Sequence, residues 1–380
     1  MTRLRVALDV LPLAGEVTGV GRFCAGLVGA LVEHDEVELR GYAVARRATS
    51  ATAAPAEALG VRVRTWRAPT RLANAVWALA DLPPVEWLVG PVEVVHGTNF
   101  VVPPAARAGR VVTVHDLTAW RYPELCAPAS LAYPRLVGRA VRRGAFVHVP
   151  SSFVRDELSE LLGLGAERIR VVPHGVDAPA RPFPARPDAT TSRRPRSAPY
   201  VLALGALEPR KDLPTLVRAF AELARAHADL ELVVAGPDGW GAPAFAAAVA
   251  ASGVAGRVVR LGYLEEEARQ SLLGGALVLA YPSLYEGFGF PPLEAMAAGV
   301  PVVATAAGAV PEVVGDAAEL VAPGDFEAMA AALARVIDDA ALRAKLVEAG
   351  HVRASSFTWA SAAGSMMELY RVAAIDRRAP

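Results

Sequence analysis

A chain of 380 residues with equal numbers of basic and acidic side chains, 39 of each, cannot bind nucleic acid through its net charge and has only a local basic face to offer for that purpose. With 53% hydrophobic residues, 32 glycines and 30 prolines it reads as globular and loop-rich, and its length predicts two domains. Its two cysteines, Cys24 and Cys126, make neither a disulfide framework nor a thiolate metal site. They fit a reducing compartment. With no leader-like start and no apolar run approaching 18 residues, the expectation is a cytoplasmic protein without a spanning helix.

The chain opens on a buried-type strand at 4–10, followed by a loop at 12–20. That loop holds Gly15 and Gly19, then runs through Gly21-Arg22 into a helix at 23–33. Strand, glycine-rich turn and helix is a common phosphate-side arrangement, but the glycine spacing is not the dinucleotide fingerprint. A strand is predicted at 37–45. Residues 48–60, rich in Ala, Thr and Pro, are predicted to be a mobile loop, and 61–64 a further strand. Trp66, Trp77 and Trp87 are assigned to core or interdomain packing rather than to ligand stacking.

Apolar runs at 92–96 and 110–114 are of parallel-strand type, the second leading into His115-Asp116. A helix at 130–143 places Arg135, Arg139, Arg142 and Arg143 on one face. That face has two readings: a solvated face with salt bridges, or a contact with an anionic leaflet or a lipid-linked acceptor. A strand at 146–149 follows, then a Ser151-capped helix, then a strand at 169–172 ending in Pro173-His174-Gly175-Val176-Asp177. Residues 178–199 lose periodicity, become rich in proline and arginine, and read as a linker.

The second half repeats the rhythm. Strands are expected at 200–204, 230–235, 258–261, 276–280, 301–304 and 319–321. Helices are expected at 213–227, 242–252, 265–273, 291–299, 309–315, 325–338 and 340–350, and a helical tail at about 357–373 could pack on either half. Alternating strands and helices imply a doubly wound parallel sheet in each half, with ligands at the strands' carboxyl ends and a cleft between the halves.

Four clusters follow strands of the second half. Gly205-Ala-Leu-Glu-Pro-Arg210-Lys211-Asp212 sets two cations before a helix whose cap is Asp212, so positive potential should converge there. The pair reads either as a diphosphate clamp or as two surface cations; Lys211 is one of only two lysines in the chain. A tight turn at Gly236-Pro-Asp-Gly-Trp240 could line a nucleotide pocket. Backbone groups at Tyr263-Leu264, after Gly262, could read a base edge. The stretch 281–299 carries Glu286, Gly287, Phe288, Gly289 and Phe290, then Leu293 and Glu294 in a helix opened by Pro291 and Pro292. The two carboxylates either accept hydrogen bonds from hydroxyls beside a phosphate, or do nothing more than face solvent and complement the helix dipole.

These motifs resemble the retaining glycosyltransferases of family 4 (glycosyltransferase group 1). The resemblance covers nearly the whole chain: LGALEPRKDLPTLVRAF at 204–220, GYLEEE at 262–267 and the run from Tyr281 to Asp325, with TGVGRF at 18–23, TVHDLT at 113–118, VPSSFVRDEL at 149–158 and VVPHGVD at 171–177. It implies an α/β chain of GT-B architecture, two doubly wound Rossmann-like domains facing each other across a deep cleft. Residues 1–177 would be the acceptor domain, 178–199 the linker, 200–357 the nucleotide-sugar domain, and 358–380 a helix able to pack back on the first. Arg210 and Lys211 would neutralise the donor diphosphate, Glu294 would take the ribose hydroxyls, and Glu286 would hold the transferred sugar. Gly205, Gly236, Tyr263, Leu264, Gly287, Phe288, Gly289, Phe290 and Leu293 would line the donor pocket. His115 and Asp116 would touch sugar or acceptor, and Gly19 and Gly21 would let the first loop approach the phosphates. Many relatives carry an arginine where this chain has Ala206, so the role of Arg210 is less secure than that of Lys211.

The reaction so implied moves a hexose from a nucleoside-diphosphate sugar to an acceptor hydroxyl with retention and without a metal or other cofactor. Closure about the linker would exclude water. GDP-mannose is the first donor to expect, UDP- and dTDP-sugars next, and the acceptor is a glycan, a lipid-linked sugar or a small molecule of a bacterial polysaccharide, glycolipid or natural-product pathway. A nucleotide-sugar epimerase, a phosphorylase and a non-catalytic sugar-nucleotide binder remain open alternatives on the same fold.

Overall fold

A computed structural model of the chain describes residues 3–46, 48–177 and 198–376. The predicted linker therefore lies outside the described residues except for Ala198 and Pro199. The chain divides into two compact units, one of residues 1–175 together with 357–380, the other of residues 176–356.

In the first unit seven strands form one wholly parallel sheet. They are β1 (Leu4–Asp9), β2 (Val37–Ala45), β3 (Arg62–Arg67), β4 (Val94–Gly97), β5 (Gly109–Thr113), β6 (Phe146–Val149) and β7 (Ile169–Val171), in the order β3-β2-β1-β4-β5-β6-β7. The connecting helices are α1 (Gly19–Val32), α2 (Ser50–Ala58), α3 (Thr70–Ala80), α4 (Glu86–Val89), α5 (Thr118–Arg121), α6 (Tyr133–Arg142) and α7 (Ser152–Leu162). The chain reverses direction across the sheet between β1 and β4, so the crevice of this unit lies where Asp9 and Gly97 end their strands.

The second unit has six parallel strands: β8 (Tyr200–Leu204), β9 (Glu231–Ala235), β10 (Val258–Gly262), β11 (Val278–Tyr281), β12 (Val302–Thr305) and β13 (Glu319–Val321), in the order β10-β9-β8-β11-β12-β13. Its helices are α8 (Leu213–Leu223), α9 (Ala242–Ala251), α10 (Glu266–Gly274), α11 (Phe290–Ala297), α12 (Val310–Val314), α13 (Phe326–Asp338) and α14 (Ala340–Ser355). The switch point falls between β8 and β11. Both sheets are Rossmann-like. Their central strands are apolar on both faces because helices cover both, and Val201, Leu202, Leu279 and Val302 are wholly buried.

The tail forms α15 (Trp359–Asp376) and packs on the first unit. It crosses α1 at Gly26, where any Cβ would collide with the Trp359 ring, and β5 at Gly109, where a Cβ would sit 2.1 Å from the Ala373 carbonyl oxygen. Met366, Met367, Leu369 and Tyr370 are buried, each worth about 1.5–3 kcal/mol of transfer. A buried hydrogen-bond chain ties this helix to the sheet, and its direction follows from its end. His148 Nε2–H donates to the Val172 carbonyl (3.0 Å), so His148 Nδ1 accepts from the Thr113 hydroxyl (2.9 Å). That hydroxyl accepts from His96 Nε2–H (2.7 Å), and His96 Nδ1 accepts from the Tyr370 hydroxyl (2.8 Å). Burial lowers both histidines, His148 to about 3, so both stay neutral and each member of the chain is satisfied.

Three sequence expectations are corrected. Residues 50–58 are helical, not a loop: Thr49 and Thr52 make a reciprocal cap that starts α2, and the alanine content outweighs Pro55 inside it. Of the three tryptophans only Trp77 is buried; Trp66 is 38% and Trp87 77% exposed. The arginine face of α6 is broken, because Arg139 is buried and pairs with Asp81, the residue that closes α3.

Candidate functional site

The site of the second unit is built on the loops that leave β8 and β11, the two strands at the switch point. Gly205 ends β8 with φ +141, and Gly236 ends β9 with φ +143; a Cβ on Gly236 would lie 2.1 Å from the Gly205 carbonyl oxygen. Only glycine allows the two loops to pass this closely. Gly236 N–H then donates to Gly262 O (2.7 Å), which joins the loop of β10 to the stack. Arg260 holds that stack from the side, with NH1 3.3 Å from Val234 O, NH2 2.5 Å from Gly236 O and 3.1 Å from Asp238.

After Gly205 the chain makes a short 3-10 turn at Pro209–Lys211 and enters α8 through Asp212, whose backbone is left-handed (φ 43) and whose carbonyl, rather than its side chain, takes the Thr215 N–H at 3.1 Å. The Lys211 side chain folds back over Gly205. Its Nζ lies 2.6 Å from Glu286 Oε1 and 3.0 Å from the Tyr281 hydroxyl, and 4.7 Å from the centre of that ring. Arg210 NH1 lies 2.8 Å from Glu286 Oε2, and its Nε donates to Glu208 at 2.9 Å. Leu284 N–H donates to Arg210 O (2.8 Å), so the backbones of the two loops are also joined.

Glu286 is therefore gripped by both cations. Burial would raise its pKa, but Arg210 and Lys211 outweigh that and hold it down to about 2. Burial lowers Lys211 and Glu286 raises it back in part; the net direction is down. The convergence of positive potential expected from the sequence is corrected here. Two cations meet two carboxylates, Glu286 and Glu208, and the cluster is close to neutral.

Glu286 is placed by residues with no obvious signal in the sequence. Gly308 has φ +58, and a Cβ there would lie 2.2 Å from Glu286 O; Ala309 N–H donates to the same carbonyl at 2.8 Å. The buried Thr305 hydroxyl donates to Ser283 O at 2.5 Å. Gly289 (φ 124) turns the chain into α11. Phe288 and Phe290 meet edge to face at 5.6 Å. Leu293, which the resemblance placed among the residues lining the donor pocket, is fully buried.

Glu294, in the first turn of α11, is ion-paired through Oε1 to Arg269 NH2 on α10, and both side chains are nearly buried, at 13% and 12% exposure. The sequence reading missed Arg269. Tyr263 and Leu264 are half-buried beyond β10, two strands from β8.

In the first unit, Gly19 and Gly21 stand in the first turn of α1, whose cap is Thr18: its hydroxyl accepts from Gly21 N–H at 3.2 Å, and a Cβ on Gly21 would lie 2.8 Å from Pro12 O. His115 follows β5 and lies against the Phe23, Phe100 and His174 rings. Burial lowers it to about 4, with the Thr98 hydrogen bond and Asp116 opposing. Because Nε2 donates to the Thr98 carbonyl (2.8 Å), Nδ1 carries the lone pair. Asp116 accepts from Thr118 N–H at 2.9 Å. Close by, Asp9 ends β1. Burial pushes it up to about 7, its carboxylate accepts from Leu11 N–H (3.0 Å), and its carbonyl accepts from the Thr98 hydroxyl (2.8 Å).

Two parallel Rossmann-like sheets, one carrying paired cations and two spaced carboxylates at its switch point, make the GT-B architecture. The chain belongs to the group 1, or family 4, glycosyltransferases. Residues 188–353 match the glycosyl transferases group 1 family and residues 17–180 match glycosyltransferase family 4. It is 28% identical over 301 residues to O-antigen chain mannosyltransferase B of Escherichia coli, covering 78% of this chain and 76% of that one. It is 30% identical over 307 residues to glycogen synthase of Mycobacterium tuberculosis, covering 78% and 69%. In structure it is similar to sucrose-phosphate synthase of Thermosynechococcus elongatus (TM-score 0.76, 22% identity, covering 97% and 99%). It is also similar to Anabaena HepE in complex with UDP and glucose (TM-score 0.74, 19% identity, covering 97% and 100%).

Proposed function

We propose that this glycosyltransferase moves a hexose from a nucleoside-diphosphate sugar to an acceptor hydroxyl with retention at the anomeric carbon, using protein cations rather than a metal ion to face the diphosphate. The observation that carries the reading is the Arg210–Glu286–Lys211 cluster at the switch point, with Glu294 and Arg269 beside it. A donor diphosphate takes over Lys211 Nζ and the Arg210 guanidinium. Glu286, freed in part, turns its lone pairs to hydroxyls of the sugar, and Glu294 takes those of the ribose. Tyr263 and Leu264, two strand spacings away or roughly 10 Å, suit the base.

As the C1–O bond to the β-phosphate breaks, negative charge grows on the leaving oxygen and the two cations stabilise it. The acceptor oxygen bonds to C1 on the same face, and its proton passes to the departing phosphate. His115 is a poor base for that proton. With its pKa near 4 and Nε2–H tied to Thr98, its Nδ1 is suited to accept a hydrogen bond from a hydroxyl, a positioning role.

GDP-mannose is the first donor to test, in keeping with the E. coli mannosyltransferase, and UDP-glucose the second, in keeping with the nucleotide and sugar in the HepE complex. The test is incubation with GDP-, UDP- and dTDP-hexoses, without acceptor and with EDTA, followed by chromatography. Slow release of one nucleoside diphosphate and a free sugar of retained configuration supports the reading. Release of a sugar nucleotide inverted at C2 would make the protein an epimerase.

A further inference from the structure

The first unit carries an apolar surface that the transfer site does not use. Helix α3 buries Ala73 and Trp77 on one side and turns Leu72, Val76 and Leu79 outward on another. These three recur at i, i+4 and i+7, within one helical face. They are 59%, 40% and 87% exposed, and further along the chain Leu82 (52%) and Trp87 (77%) are exposed as well. An 11-residue helix that is apolar outward as well as inward departs from the pattern of a helix facing water.

The patch is bordered by positive charge. Strand β3, just before α3, carries Arg62, Arg64 and Arg67, and the single acid of residues 62–82 is Asp81. Asp81 is already consumed: Arg110 donates to it at 2.9 Å, Arg139 pairs with it, and Arg143 lies 3.6 Å away. Those pairs fix α6 against the end of α3 between the exposed Leu79 and Leu82, and they place the exposed Arg142 and Arg143 beside the apolar tip. The other nearby acid, Glu86, is turned away, its carboxylate accepting from the N–H groups of Ala106, Arg107 and Ala108 at 2.9–3.1 Å.

We propose that this surface docks on an anionic lipid bilayer, with Leu72, Val76, Leu79, Leu82 and Trp87 entering the headgroup boundary and the arginines meeting lipid phosphates. Apolar side chains with an adjoining tryptophan and a rim of arginine suit that interface, and 11 residues are too few to span it. No helix among the described residues is long and apolar enough to cross a membrane, so the contact lies on the surface.

The test uses the full chain with sucrose-loaded vesicles, either pure phosphatidylcholine or two parts of it to one of phosphatidylglycerol. The full chain should sediment with the anionic vesicles and be released by about 0.5 M salt, which shrinks the Debye length to a few ångströms. L72S/L79S and R142S/R143S should each bind at least tenfold more weakly. Donor hydrolysis should be unchanged in L72S/L79S, which shows that the variant is folded. Failure of the parent chain to sediment, or sedimentation of both variants like the parent, overturns the proposal. So does a twofold larger mass in solution that L72S/L79S abolishes, because the patch would then join two copies of the chain.

Discussion

Replacing Lys211 by methionine removes the 2.6 Å partner of a buried carboxylate and leaves Arg210 at 2.8 Å to hold it alone. Stripping a buried pair of one member costs about 3–5 kcal/mol when nothing else compensates. With one cation kept, about 2 kcal/mol is the expected loss, which a protein of ordinary stability survives. Transfer should fall further than that destabilisation explains. A lost charge on the leaving diphosphate costs about 2.7–4 kcal/mol, or 100- to 1,000-fold in turnover. The two effects separate in the double variant Lys211→Met with Glu286→Gln: without the orphaned charge the melting temperature should recover most of its loss, and turnover should stay low. Thermal unfolding and release of nucleoside diphosphate measure both on one preparation. Turnover of Lys211→Met within threefold of the parent would end the assignment of Lys211 to the diphosphate. A double variant no more stable than the single would show that Glu286 is not held by Lys211.

Glu286→Gln alone should bind free nucleoside diphosphate as tightly as the parent or a few-fold tighter, since the carboxylate no longer competes for the two cations, and should discriminate less among donor sugars. Isothermal titration and a donor panel read the two effects, and a collapse of nucleotide affinity would transfer the nucleotide role to Glu286. Arg269→Met should loosen Glu294 and weaken binding of a ribonucleoside diphosphate about tenfold, or 1.4 kcal/mol, with little effect on the 2′,3′-dideoxy analogue; equal losses for both would make Arg269 merely structural. Gly308→Ala should push the Glu286 backbone out of place and cut turnover at least tenfold while the nucleotide still binds, because the new Cβ would start 2.2 Å from Glu286 O. The pH dependence of stability follows from the first unit. His96, His115, His148 and His174 are all lowered by burial and stay neutral when folded, so below about pH 6.5 the unfolded chain takes up protons that the folded one refuses, and stability falls. Asp9, raised to about 7, works in the opposite sense between about pH 4 and 7 and offsets one histidine. Three uncompensated groups give at most about 4 kcal/mol per pH unit near pH 5. A melting temperature unchanged between pH 7 and pH 5 would contradict neutral burial of these four rings.

What the sequence displays depends on whether its physical cause is local. The strands at Phe146–Val149 and Tyr200–Leu204 match their predicted limits because a parallel strand covered on both faces leaves an apolar run bounded by turn residues. Helix α2 was hidden because Pro55 and a short alanine-rich segment look like a loop, and the cap that starts it is a weak signal. The tight turn at Gly236 was legible from its residues, and its φ of +143 fits that. Gly308 and Arg269 were not, since their purpose is a contact with residues 22 and 25 positions away that only the fold brings near.

The charge state of the site shows most sharply where such reading stops. Arg210-Lys211 beside a helix start looks like unspent positive potential, and Glu286 looks like a separate hydroxyl ligand. In the folded unit these are one object, with Glu286 occupying the place an anion would take. Its carboxylate, held near pKa 2, keeps Lys211 and Arg210 positioned and desolvated before any donor arrives. On the function proposed above, a diphosphate would have to outcompete a carboxylate rather than fill an empty clamp, and it could do so by bringing more charge and more acceptor oxygens to the same two donors. That proposed exchange would link nucleotide binding to the freeing of Glu286, and a carboxylate released to the sugar only when the diphosphate is seated would give discrimination that free sugars cannot trigger.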